Sequence, residues 1–395
     1  MFAFHLTASD MGLLSAAYFY PSFIVALLLL FFIDHVNPGK LLLASLLLSA
    51  MGSLLCAMAG TYNVMIVGRL FHGFGLGVLN MVFIKFIFNH FPSKYLATLY
   101  GGYLAFAMLT SSGGASFLAA LTNYCGWQAI FGLTGAITIV LAVAMFMATR
   151  LLPLPPLPLD ATANAFEDSG ARIRDVLASR NFWLLSMGMG LLYAPIAAFR
   201  DLWSVPYLMQ VYAGTKQEAS SIVGFWSIGM IVGMLLAALL SDRVFKSRKK
   251  PVILFSTLYL LTWLIMALNP DGFAIGFLYA LFLCMGLFSG AYFIGYAQIL
   301  ENLPNKIVGR IFWLSGICPF VIVATAQQLA GYMRGSFDKV PLRENGKEVL
   351  DASGQFIMVF PVQAYGATFW LCTGCVALGL ALYCFSKETF IKNSK

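Results

Sequence analysis

The sequence predicts an all-α polytopic membrane protein with about 11 transmembrane helices. Three observations carry that expectation. Of 395 residues, 60% are apolar or aromatic and only 10% carry a charge, and apolar stretches long enough to span a bilayer recur along the chain. Soluble domains hold about 25% charged residues. So few charges cannot cover a soluble protein of this length, and lipid has to be the solvent for much of it.

A bilayer core needs about 20 mostly apolar residues per helix. That ruler places spans near residues 12–33, 41–61, 64–88, 97–120, 127–149, 182–209, 219–240, 251–268, 272–297, 307–332 and 362–386. Gly and Pro inside many of them suit helices whose neighbours re-satisfy the backbone. The first run is expected to be a span and not a secretory leader, because Met1 to Asp10 holds no basic residue and the run is long.

Lys and Arg in alternate loops set the expected orientation. One set holds sixteen of the 24: Lys40, Lys94, Arg150, Arg172, Arg174, Arg180, Arg243, Lys246, Arg248, Lys249, Lys250, Lys306, Arg310, Lys387, Lys392 and Lys395. The opposite set holds five, Lys216, Arg334, Lys339, Arg343 and Lys347, while Arg69, Lys85 and Arg200 lie inside spans. The C-terminus is therefore expected in the cytoplasm, below the cell (inner) membrane, and 11 spans put the N-terminus outside. The net charge of +8 follows this asymmetry. No basic helix or aromatic–basic interleaving points to nucleic acid.

Seven cysteines are present, and Cys372 and Cys375 form a C-x-x-C. They sit within an apolar run with no His or second Cys pair nearby, so they are expected to pack as small hydrophobes. No metal and no cofactor is expected.

Residues 1–150 are expected to form an N-terminal bundle of five spans, 151–181 a cytoplasmic linker, and 182–395 a C-terminal six-helix bundle. The linker opens on the Pro-rich run from Leu151 to Pro158, which stiffens it. An internal repeat supports the division: Asp34 to Lys40 and Asp242 to Lys250 each place an Asp at the end of a span, ahead of a basic turn and another span.

These residues resemble the major facilitator superfamily, whose signature reads roughly Gly-x-x-x-Asp-Arg-x-Gly-x-Arg-Arg. Asp242 and Arg243, with Arg248, Lys249 and Lys250, match it, although Ala238 stands at the leading Gly. The first copy is degraded, with Leu30, His35 and Asn37 at the Gly, Arg and Gly positions. Arg69 to Gly75 is similar to the family's fourth-helix Arg-x-x-x-Gly-x-Gly. Gly101 to Gly114, then Gly126-Trp127, resemble its fifth-helix glycine region and the start of its sixth. Glu301 and Gly309 match the loop between its tenth and eleventh helices. The resemblance implies a two-bundle fold built from repeats. It aligns residues 12–33 with the family's second helix, so the first helix is expected to be missing, through a late-assigned start codon or a truncated gene. It also implies a monomeric secondary active transporter of a small organic solute, working by alternating access with protons as candidate coupling ion. The competing classes are a non-transporting membrane receptor, a truncated inactive remnant, and a membrane enzyme. Asp34, Asp242, Arg243 and Arg248 would then form a latch that favours one access state.

Charges embedded in a bilayer cost at least about 2.5–3.5 kcal/mol, so they are functional candidates by default. Arg69, with His72 one turn on and Asn80 three turns on, would line a cavity, His72 as a proton carrier. The alternatives are a snorkelling Arg and a hydrogen-bonded core His. Lys85 is expected to snorkel. Arg200 and Asp201 lie between Pro195 and Pro206, which predicts a broken helix, with Trp203 and Tyr207 as amphipathic walls. Asp201 is the carboxylate best placed to couple protons; an interfacial ion pair is the alternative. Tyr292, Tyr296 and Gln298 offer either a binding wall or a helix contact. Gly286 and Gly290, like Gly73 and Gly77, are expected to bring helices close. No Walker loop, His-Glu-x-x-His or Gly-x-Ser-x-Gly occurs, which disfavours an ATPase or an enzyme of those classes. The topology is checked at Ser353, where an engineered cysteine should react only from the external side; labelling from the cytoplasmic side alone would contradict it.

Overall fold

A computed structural model describes residues 6–32, 36–90, 121–122, 124–147, 150, 175–212, 214–300, 308–344, 347–348, 356 and 358–388. The helices are α1 (Ala8–Ala16), α2 (Phe19–Phe32), α3 (Pro38–Ala57), α4 (Tyr62–His90), α5 (Tyr124–Met147), α6 (Arg180–Pro195), α7 (Ser204–Val211), α8 (Lys216–Leu239), α9 (Lys249–Leu268), α10 (Ile275–Ser289), α11 (Ile294–Leu300), α12 (Val308–Gly335) and α13 (Val362–Phe385). Nine stretches among the described residues are long and apolar enough to cross a membrane. Of the expected spans, 97–120 lies outside the described residues, and 307–332 corresponds to α12, which carries Pro319 in its interior. Four two-residue strands follow α12. Val340–Pro341 pairs antiparallel with Met358–Val359, and Arg343–Glu344 with Lys347–Glu348. Sequence periodicity holds no signal for strands this short.

Local chemistry explains where several helices start. Asn37 caps α3, its Oδ1 accepting from Gly39 N at 2.9 Å and Lys40 N at 3.3 Å, with Pro38 pre-set at the first helical position. Thr215 and Glu218 form a reciprocal capping box on α8. Apolar side chains then point outward in numbers that water would not tolerate. On α5, Leu133, Val140, Leu141 and Met147 are all more than half exposed, as expected where lipid is the solvent.

The described helices form two compact units. The first comprises Met1–Ser15, Met187–Gly295 and Thr325–Lys395. Here α8 and α10 cross on glycines. A Cβ on Gly286 would collide with the Trp226 carbonyl, one on Gly233 with the Leu287 carbonyl, and one on Gly290 would lie 2.5 Å from Met234 N. With no hydrophobic gain between helices in lipid, such close approach lets van der Waals contact supply the attraction. The same device joins α1 to α12, where a Cβ on Gly12 would stand 2.8 Å from the Gln327 carbonyl and one on Gly331 2.5 Å from that of Ala8. The core is aromatic. Phe199 has Tyr207, Trp226, Trp263, Phe282 and Phe369 around it, with ring centroids at 5.1–6.5 Å.

The second unit comprises Ala16–Ser186 and Tyr296–Ala324. In it α4 lies against α2 and α3. Gly73 and Gly77 meet α2, where a Cβ on Gly77 would be 2.9 Å from Ser22 Cα, and Ser22 Oγ donates to Gly73 O at 3.0 Å. Gly75 and Gly68 meet Ser49 and Cys56 of α3. The glycine pairs singled out in the sequence thus act in packing. Their expected sensitivity is specific. Gly286→Val should destabilise by about 1–3 kcal/mol through overpacking, whereas Gly374→Ala, at a helical site with open space around it, should be neutral or stabilising by about 0.5–1 kcal/mol. Thermal unfolding in detergent measures both, and an undisturbed midpoint for Gly286→Val would contradict the packing.

Candidate functional site

The helix expected to break between Pro195 and Pro206 does break. Pro195 has no N–H to bond back along the helix, and the next five residues, Ile196–Arg200, follow a π-helix. Asp201 N donates to Ile196 O at 3.0 Å, closing the wider turn. After a turn at 201–203 the chain re-enters α7. All five π residues are buried, so their carbonyls need partners; Gln327 Nε2 of α12 donates to Ala197 O at 3.0 Å.

Arg200 and Asp201 sit at this break. Although consecutive, they bond, Arg200 Nε lying 3.0 Å from Asp201 Oδ1, with side-chain exposures of 7% and 42%. The cation is buried while the carboxylate is exposed. Trp203 and Tyr207 are buried. Tyr207 Oη donates to the Pro270 carbonyl at 2.5 Å, and Tyr365 Oη donates to Gln210 Oε1 at 2.6 Å.

One residue of this region was misplaced by the loop count. Arg334, assigned from sequence to an external loop, stands in the last turn of α12 and is fully buried. The span ruler stops near residue 332, but the helix continues to Gly335. Its guanidinium Cζ lies 3.9 Å from the ring centroids of both Trp203 and Tyr365 and 5.9 Å from that of Phe360. Nη2 donates to Thr368 Oγ1 at 3.3 Å, while Nε and Nη1 have no hydrogen-bond partner among the described residues. Desolvated cation–π contacts contribute about 2 kcal/mol each, and a helix C-terminus favours a cation. Neither satisfies the in-plane N–H groups, and each buried donor left unbonded costs about 1–3 kcal/mol. Spacing held a signal for Arg334: it is seven residues after Gln327 on one helix, so both project to one face.

At the far end of the unit the signature residues form a second cluster. Lys246 takes a left-handed backbone with φ 45°, which turns the chain so that Arg248 Nη1 reaches Asp242 Oδ1 and donates to Ser241 Oγ at 3.0 Å. Arg243 is exposed. Sequence inspection missed Glu388, just beyond α13. It accepts from Ser247 Oγ, from Arg248 N at 2.9 Å and from Lys249 N at 3.3 Å, capping α9 with negative charge. Lys249 Nζ in turn donates to the Cys384 and Ser386 carbonyls, both at 2.7 Å. Tyr292, in a 3-10 turn at Gly290–Phe293, packs its ring 5.2 Å from Tyr193.

In the second unit, His72 Nδ1 lies 3.2 Å from Ser49 Oγ, 3.1 Å from Ser53 Oγ and 3.3 Å from Ser49 O. His72 is half-buried, and hydrogen bonding of this kind is the alternative considered for it. Arg69, one turn earlier on α4, is half-buried. Tyr296 is half-buried and Gln298 buried on α11. Asp34 and Glu301 lie outside the described residues, as do the side chains of Asn80 and Lys85 on α4.

Comparison with known proteins agrees with this architecture. The chain is 30% identical over 130 residues to the proton myo-inositol cotransporter hmit-1.2 of Caenorhabditis elegans, a match covering 31% of this chain and 20% of that protein. It is 26% identical over 171 residues to a probable hexose phosphate transport protein of Chlamydia muridarum, covering 36% and 37% of the two chains. These matches span well under half of either relative. Among solved structures, that of a D-xylose-proton symporter superposes with a TM-score of 0.70 at 14% identity, covering 98% of this chain and 90% of that one, which shows a common fold. The sequence profile of the Major Facilitator Superfamily matches residues 1–325, and the chain belongs to that family of transporters.

Proposed function

We propose that the chain is a secondary active transporter of a small organic solute, working by alternating access and coupled to protons. The observation that carries this is the break in the α6–α7 segment, with a buried Arg200 ion-paired to an exposed Asp201 at the point where α-helical geometry is lost. Interrupted membrane helices are where secondary transporters commonly hold solutes and ions. The two relatives above move a polyol with protons and, by its probable assignment, a hexose phosphate, so a small polar or anionic solute is the class proposed. In this account the bundles 1–150 and 182–395 rock about the linker 151–181, the C-terminus is cytoplasmic in the cell membrane, and the protein acts as a monomer.

Asp201 is the proposed coupling group. Asp201→Asn keeps shape but cannot titrate, so purified protein in proteoliposomes should retain solute counterflow and lose pH-driven accumulation. If Asp201 serves only as an exposed ion-pair partner, the substitution costs about 0–1 kcal/mol of stability and accumulation persists, which would retire the assignment. Absence of any solute flux in the unsubstituted protein would reject transport itself and favour a receptor.

Asp242, Arg248 and Glu388 are the proposed latch. Glu388→Gln weakens the cap on α9, for which about 0.5–2 kcal/mol is typical, and should change the maximal flux rate several-fold while leaving the half-saturating solute concentration in place. Flux kinetics identical to the parent would show that the cluster serves topology and folding only.

A further inference from the structure

We propose that Arg334 is an anion subsite that takes the carboxylate or phosphate group of a small solute along the plane of its guanidinium. That the occupant is a carried solute rests on the transporter reading; the subsite itself rests on the following geometry. Trp203 and Tyr365 both hold their ring centroids 3.9 Å from Cζ, so aromatic carbon crowds the guanidinium from two rings. The in-plane edges carry the donors a ligand would use. One donor there is used by Thr368 Oγ1, while buried Nε and Nη1 have no partner among the described residues. The indole Nε1 of Trp203 is a further buried donor in the same state.

No carboxylate among the described residues pairs with Arg334. Asp201, two residues from Trp203, is engaged by Arg200, and Asp271 and Asp338 are exposed. With no counter-charge among the described residues, this buried cation suits an anionic ligand. A planar fork matches the two oxygens of a carboxylate or phosphate, which Arg binds in bidentate fashion. A hydroxyl of a neutral solute would satisfy one donor and leave the charge unmatched. Trp203 closes the turn at 201–203 and is held there by its own backbone, its N–H donating to the Phe199 carbonyl at 2.8 Å and its carbonyl accepting from Tyr207 N at 3.0 Å. The competing role is a purely structural cation at the end of α12.

The test is thermal unfolding of the full chain in detergent at fixed ionic strength, titrated with inorganic phosphate, glycerol 3-phosphate, or glycerol as the uncharged control. The two phosphates should raise the midpoint saturably and glycerol should not. A tighter response to glycerol 3-phosphate assigns the site to an organic phosphate, and an equal response assigns it to the free anion. Arg334→Met should unfold at a midpoint no lower than the parent in phosphate-free buffer and show no anion response. Arg334→Lys should weaken half-saturation at least tenfold because an ammonium offers no fork, and Thr368→Val several-fold. If the Met variant does not fold, the Lys and Val variants decide. No saturable response in the parent, or an undiminished one in Arg334→Lys, overturns the proposal. A chain that binds phosphate but moves no solute in proteoliposomes refutes transport alone, and a transporting chain without the anion response refutes the subsite alone.

Discussion

A bilayer interior offers no hydrogen-bond partners, and most of this structure follows from that shortage. Each backbone N–H and C=O in the apolar layer has to be satisfied within the chain, so the described spans are helices. Where the ladder is interrupted, another group steps in. Pro195 removes one donor, the chain widens into a π turn, and Gln327 reaches across from α12 to the Ala197 carbonyl. His72 is held in the same way, between two serine hydroxyls and a carbonyl of α3. Arg334 departs from the pattern: it is buried against two rings and has donors left over among the described residues.

The same solvent removes the usual reason for helices to associate. Lipid tails are as apolar as Leu, so helices cohere through close contact. Glycines at 229, 233, 286 and 290 bring the α8 and α10 backbones together, and Gly12 and Gly331 do so for α1 and α12. In each case a side chain would strike backbone of the neighbouring helix, which a rotamer change cannot relieve.

These constraints decide what could be read from sequence. Span positions were legible because length and apolarity are set by bilayer thickness, and the glycine pairs because their four-residue spacing has one common use in membranes. The break near Arg200 was legible because Pro195 removes a donor wherever it falls. Glu388 was not, and Arg334 only through its seven-residue spacing from Gln327. Arg334 follows the apolar run of α12, and a count of loop charges cannot tell a cation in the last helical turn from one just beyond it; moving it indoors leaves four basic residues in the loops opposite the sixteen. Glu388 gains its meaning from Ser247, Arg248 and Lys249, about 140 residues away in sequence, a contact that no local pattern announces. The roles proposed for Asp201 and Arg69 turn on the coupling ion, which no local residue pattern encodes.

The central claim is that polar groups left unmatched in this dry interior are where a solute is held. Nitrogen-15 NMR of arginine-labelled protein in lipid nanodiscs addresses it directly, with the Arg334 Nε–H resonance assigned by its loss in Arg334→Lys. The account predicts a resonance characteristic of an unbonded N–H in anion-free buffer, which moves downfield saturably as glycerol 3-phosphate is added. A signal already hydrogen-bonded without the anion, and unmoved by it, would contradict the account.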